Sequence, residues 1–439
     1  MKDELFNKDN KDKFVIKAKI VQIRIIMLKQ IAVLGFGKEG QALAKYFTYK
    51  TKDMVIILDQ KLEELPIAYE QLELQNDLII PKVDIAFKSP GIALSKIQNP
   101  HKVEISSLIT LLFQKLDMSK VITVTGTKGK STTASLIHHI LVSNNKKAEL
   151  LGNIGNINIE LIDKYDPDTY YIFELSSYQC QMLENSPHIA IWTSFYIDHQ
   201  DVHENMEEYY DAKARITKFQ TKKDFLIIGE QVPIKFKTKA TTIISKPSQI
   251  YSTKLQGDHN QINCQFAFEA CTQLGFDSEQ IVSSIQSYEP LKGRLEMVGE
   301  YKDIQFFADD LATIPEATWA AIQSFDPDLL DTVIVGGYDK GSNYSELATN
   351  LVNAKIKNFI CFEPIGSKIV EKLDRAKVNI MTSKNMYKAV ELAYKLTKKN
   401  GICLMSPGAA SFGMFENAYD RGEQYRKYVK ELGERADKK

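Results

Sequence analysis

Apolar residues recur along this chain in two rhythms. Short runs rich in Val and Ile, at 30–34, 54–59, 83–87, 121–125, 170–174 and 189–193, read as buried strands, with less informative ones at 225–228 and 242–244. Between several of them the period lengthens to that of helices, at 41–49, 134–142 and 208–216, with another opening near 255–263. Beyond a linker-like stretch at 287–294, strands at 304–308, 332–335, 358–362 and 401–405 again alternate with helices. Alternation of this kind predicts an α/β architecture of Rossmann-like units. The predicted division is 28–118, 119–290 and 291–439, preceded by an extension, 1–27, that reads equally as an extra strand, a frayed arm or residues from an upstream start codon.

The strand 121–125 breaks at Gly126, turns through Thr127, Lys128 and Gly129, and delivers Lys130, Ser131 and Thr132 to a helix start. Free N–H groups and the helix dipole favour an anion there, Lys130 offers a point charge, and the two hydroxyls can reach Mg²⁺. The Walker spacing is not met, because Val124 stands where its first glycine would be. The turn is a short variant of a phosphate cradle.

Polar residues at strand ends extend the chemistry. G-x-G-x-x-G at 35–40 follows one strand and opens a helix, while Asp59 ends the next strand as in dinucleotide folds. Ser89 lies in a turn after a further strand. Asn153, in the loop 152–155, reads as a turn residue. Glu174 closes an apolar strand, where an acid is costly unless paired or metal-bound, and is expected to ligate magnesium. The cluster 198–203 holds His199 and His203; magnesium suits its acids better than zinc, and His203 reads as a surface histidine. By pattern alone Lys213 is a solvated helix lysine, and Asn260 and Asn263 share a helix face.

Composition narrows the partner. Over 439 residues, Lys+Arg and Asp+Glu both total 56, so no net field recruits nucleic acid or acidic lipid. Five scattered cysteines without a C-x-x-C pair argue against a disulfide framework, and no apolar run approaches a membrane span. A soluble protein of a reducing cytoplasm, acting on small molecules, is expected.

Taken in order, the motifs at 126–132, 152–155, 174–179, 198–201, 257–263, 293–296 and 406–415 resemble the Mur ligase family, the ATP-dependent amino-acid-adding enzymes of peptidoglycan synthesis. The resemblance covers about 28–430 and is closest to the family's glutamate adders. It implies an N-terminal Rossmann-like domain for a UDP group, a central P-loop-type ATPase and a C-terminal Rossmann-like domain that closes on nucleotide and amino acid. Gly126, Thr127, Lys128, Gly129, Lys130, Ser131 and Thr132 would hold ATP phosphates, with Asn263, Arg294 and Asp309 also on the nucleotide. Ser131, Glu174, His199 and Lys213, the last as a carbamate, would hold Mg²⁺; Lys130, Glu174, His199 and Lys213 would be catalytic. Gly35, Gly37, Ser89, Asn153 and His199 would hold UDP-N-acetylmuramoyl-L-alanine, and Thr313, Lys340 and Ser411 the glutamate. An acyl phosphate would link the two half-reactions, and the protein would act as a monomer. Two positions depart from the pattern: Leu311 stands where these enzymes carry a lysine, and Ala418 where an aromatic is common. They raise addition of L-glutamate, or another member of the family, as alternatives. From a different class, an NAD-dependent oxidoreductase would use Gly35 to Asp59 and leave Lys130, Glu174 and His199 without a role.

Overall fold

The computed structural model describes residues 28–66, 72–154, 159–196, 203–339 and 341–435. They group into two compact units: residues up to 128 with 148–226 and 231–243, and residues 129–147, 227–230 and 244 onward. The extension 1–27 lies outside the described residues.

Among the described residues, three sheets carry the chain. The first has the order β3-β2-β1-β4-β5, from β1 (Gln30–Leu34), β2 (Met54–Leu58), β3 (Glu73–Gln75), β4 (Ile85–Lys88) and β5 (Ile105–Ser106). Its pairings are parallel, with Leu34 beside both Leu58 and Lys88. Strand β4 begins later than its apolar pattern predicts, and just before it the Asp84 carboxylate accepts the Gln30 N–H (2.7 Å). The helix after β1 also differs: it spans Lys38–Lys45, opens from extended Gly37 earlier than expected, and widens into a π-type turn, Tyr46–Thr51.

The second sheet has the order β11-β10-β9-β6-β8-β7, from β6 (Val121–Thr125), β7 (Ala148–Gly152), β8 (Tyr170–Glu174), β9 (Ile189–Trp192), β10 (Phe225–Gly229) and β11 (Thr241–Ser245). Strand β6 lies parallel between β8 and β9, so Val124 is beside Glu174 and Thr125 beside Trp192. The helix predicted at 208–216 is Met206–Ala214, set back because Asn205 accepts the Glu208 N–H (2.9 Å) as its cap.

The third sheet, in the second unit, runs β12-β13-β17-β14-β15-β16, from β12 (Glu296–Tyr301), β13 (Ile304–Ala308), β14 (Leu330–Gly336), β15 (Asn358–Phe362), β16 (Asn379–Thr382) and β17 (Gly401–Met405). Alternate residues serve opposite cores. Phe307, Val333, Val335, Phe359 and Leu404 join one, and Phe306, Ile334, Ile360, Cys403 and Met405 the other. Burial on both faces is why these strands read as unbroken apolar runs. Edge strand β12 is antiparallel and half polar, so it left no such trace. No described helix is long and apolar enough to cross a membrane.

Candidate active site

Each sheet places its polar loops at the carboxyl ends of neighbouring strands, the edge where open α/β sheets bind ligands. In the first unit the turn after β6 is strapped from β9. Thr193 Oγ1 donates to the Lys128 carbonyl (2.6 Å), and the Ser194 hydroxyl accepts the Lys128 N–H (2.9 Å). Gly126 has φ +147°, and a Cβ there would lie 2.1 Å from Thr193 Oγ1, so only glycine fits beneath the strap. Thr127 Oγ1 meets the Tyr209 hydroxyl at 3.0 Å.

Beside this turn, Glu174 is 1% exposed. Its Oε1 accepts from Asn153 Nδ2 (3.4 Å), whose N–H also donates to the Glu174 carbonyl (2.9 Å). Its Oε2 is buried with no donor among the described residues. A polar oxygen left this way is costly in a protein interior, and a hard divalent cation would satisfy it; the donor chemistry fits magnesium. Among the described residues no three His, Cys, Asp or Glu side chains gather into a metal group, and Asp198, His199, Gln200 and Asp201 lie outside them.

Two readings from pattern alone are corrected here. Lys213 is not solvated: it is 1% exposed, donates to the Gly126 carbonyl (2.9 Å) and lies 4.7 Å from the Tyr209 ring centre. His203 is buried rather than on the surface, with Nε2 2.9 Å from Ser177 Oγ and its ring stacked on Tyr178. Local polarity reveals neither, because Gly126 against Lys213, and Ser177 and Tyr178 against His203, come from distant segments.

Also in this unit, Ser89 Oγ donates to the Gly35 carbonyl (3.0 Å), which joins the ends of β1 and β4. Gly37 is exposed. Gly40 is needed because a Cβ would lie 1.9 Å from the Gly35 carbonyl oxygen. Asp59 spends its carboxylate on the N–H groups of Phe36 and Lys61 (2.9 Å each), a structural use that weakens the ribose-binding reading. Beneath these turns lie two charged side chains that the pattern concealed, Lys88 buried and Glu39 half-buried. The Lys88 ammonium donates to the Ile92 carbonyl (2.7 Å), and Glu39 Oε1 accepts from Gln179 Nε2 (3.1 Å). Burial lifts the Glu39 carboxyl to about 7, against the pull of Gln179 and Lys88. Burial likewise lowers Lys88 to about 8.

In the second unit, Gly129 caps the helix Lys130–Ser143 with φ +87°, and Lys130, Ser131 and Thr132 form its half-buried first turn. Thr133 Oγ1 lies 3.4 Å from Asn263 Oδ1, while Asn263 Nδ2 donates to Asn260 Oδ1 (2.8 Å), joining the two asparagines predicted to share a face.

Strands β13, β17 and β14 are neighbours, so their loops gather on one edge. Asp309 accepts from Ser406 Oγ (2.9 Å). Burial lifts its carboxyl to about 6, although Ser406 and the Arg294 charge pull it back. Arg294 is exposed, Thr313 half-buried and Ser411 buried; Lys340 lies outside the described residues. Around Asp310 stands a cluster missed in the sequence. Arg426 donates to Asp310 Oδ1 (3.0 Å) and Glu296 Oε2 (2.7 Å). Fully buried Arg421 bonds the carbonyls of Ala409 (3.0 Å) and Asp310 (2.9 Å).

Residues 124–300 match the Mur ligase middle domain, and residues 293–408 the Mur ligase, glutamate ligase domain. The chain is 31% identical to the UDP-N-acetylmuramoylalanine–D-glutamate ligase of Bacteroides thetaiotaomicron over 92% of its length and 100% of the relative's. The enzyme of that name from Bacteroides fragilis is also 31% identical, with the same coverage. Among solved structures, the MurF ligase of Thermotoga maritima in complex with ADP shares the fold. Its TM-score is 0.56 at 15% identity, with 80% of this chain and 90% of that one covered.

Proposed function

The chain belongs to the Mur ligase family, and from that premise we propose that it is an ATP-dependent ligase adding D-glutamate to UDP-N-acetylmuramoyl-L-alanine, in the cytoplasmic synthesis of peptidoglycan precursors. The match, over 92% of this chain and 100% of relatives named for that reaction, carries the reading.

In this reading the three sheets belong to three domains, 28–118, 119–290 and 291–439. Gly35, Gly37, Ser89, Asn153 and His199 receive the UDP substrate. The turn from Gly126 to Gly129, with Lys130, Ser131 and Thr132, cradles the phosphates of ATP, and Asn263, Arg294 and Asp309 hold the nucleotide. Thr313, Lys340 and Ser411 receive glutamate. Glu174, with Ser131, His199 and Lys213 as a carbamate, would hold Mg²⁺, which when bound shields phosphate charge and orients in-line transfer.

The chemistry starts with a clash of charges, since a substrate carboxylate oxygen must bond the γ-phosphorus while the bond to ADP breaks. In this reading Lys130 and the N–H groups of the first helical turn stabilise the anion there. The product is an acyl phosphate. The deprotonated glutamate amine then attacks its carbonyl, and the tetrahedral intermediate expels phosphate to leave the amide. Water must be kept from the acyl phosphate, or hydrolysis replaces ligation.

The test is ADP release from ATP, Mg²⁺ and UDP-N-acetylmuramoyl-L-alanine with D-glutamate, L-glutamate or no amino acid. Release with D-glutamate alone is expected. Preference for L-glutamate would change the substrate and trace to Leu311 and Ala418; release with neither would overturn the ligase reading.

A further inference from the structure

The expected cation at position 311 is a leucine here, yet two arginines stand behind the same loop. Arg421, in the first turns of the helix Ala418–Glu434, is 0% exposed. One terminal nitrogen donates to the Ala409 carbonyl and the other to the Asp310 carbonyl. These acceptors belong to different loops: Asp310 lies shortly before Thr313, and Ala409 shortly before Ser411. The helix is pressed hard against the first loop, since a Cβ on Gly422 would fall 2.1 Å from Asp310 Oδ2.

Other bonds brace the junction. The Gly408 N–H donates to the Ala312 carbonyl (2.9 Å). Arg426, through Glu296, also reaches the Gly293 N–H, which donates to Glu296 Oε2 (2.8 Å). The bridge between the carbonyls of Asp310 and Ala409, however, runs through Arg421. A forked, planar guanidinium can bond two carbonyls at a fixed separation, whereas a lysine is a single point donor. Burial lowers its pKa to about 10, with the charges of Asp310 and Asp309 pulling the other way, so it stays a cation at neutral pH.

We propose that Arg421 is a positioning residue for the incoming amino acid, setting the separation of Thr313 and Ser411 by tying their two loops together from behind. This rests on the reading above that those loops receive glutamate. Arg421 touches no substrate; it acts through the backbone, and its loss should spoil amino-acid binding while sparing the earlier phosphoryl transfer.

The experiment compares Arg421→Lys with the unaltered enzyme. Expected is a rise in glutamate KM of roughly tenfold, the scale of one charge-assisted hydrogen bond. The KM for ATP and for the UDP substrate, and amino-acid-independent acyl-phosphate formation trapped by hydroxylamine as the hydroxamate, should be unchanged. If Arg421→Lys does not fold, Arg426→Gln, which frees the Asp310 side chain on the same loop, should raise glutamate KM selectively and by less. Equal losses in both half-reactions, or an unchanged glutamate KM, would overturn the proposal. An unaltered enzyme with no amino-acid-dependent ADP release would overturn the functional reading as well, so the two failures are separable.

Discussion

Glu39 illustrates what one side chain contributes when its neighbours come from elsewhere in the chain. In sequence it is an unremarked polar residue inside G-x-G-x-x-G; in the fold it is half-buried beside Lys88 and bonded to Gln179. Burial holds its carboxyl near 7 against an ordinary 4.5. Between those values the folded chain binds more protons than the unfolded chain, so the contribution of Glu39 is full below about 4.5 and is lost as pH rises through about 7. Lys88 titrates in the folded state only near 8, above most of this window. Glu39→Gln keeps an acceptor for Gln179 and removes the titration. Urea midpoints should therefore move in the variant's favour as pH rises from about 5 to about 8; a difference that stays flat with pH would refute this.

At the scale of elements, the strands buried on both faces were legible because burial demands apolar side chains throughout: β1, β13, β15 and β17 lie where their runs predict them. Edge strands β3, β12 and β16 were not, since exposed positions accept polar residues. The strand, turn and helix start at 121–132 were legible in place, but the strap from Thr193 and Ser194 was not, because those residues follow a strand placed beside β6 only by the sheet. Gly126→Ala should cost about 1–3 kcal/mol through backbone strain alone. The clash with Thr193 should add to that and distort the cradle. A lowered urea midpoint together with weakened ATP binding is expected, and unaltered ATP affinity would show that the cradle tolerates a side chain.

For the whole molecule, nucleotide binding should register as stability, because a ligand that binds only the folded state raises the unfolding free energy by mass action, about 2.7 kcal/mol at a hundred times Kd. ATP with Mg²⁺ should therefore raise the thermal midpoint, and Lys130→Ala should abolish most of the shift while leaving the ligand-free midpoint close to the parent's, since Lys130 sits half-buried at a helix start. A full shift in the variant would remove Lys130 from the phosphate site. The sequence by itself determined the α/β alternation, the polar loops at strand ends and the order of the motifs, because buried strands, helix starts and tight turns each impose local residue preferences that can be read in place. Only the tertiary structure decided that Lys213 and His203 are buried, that Glu174 keeps an oxygen without a partner among the described residues, and that Arg421 joins two loops. Burial and pairing are set by segments far apart in the chain, and no local pattern records which of them meet.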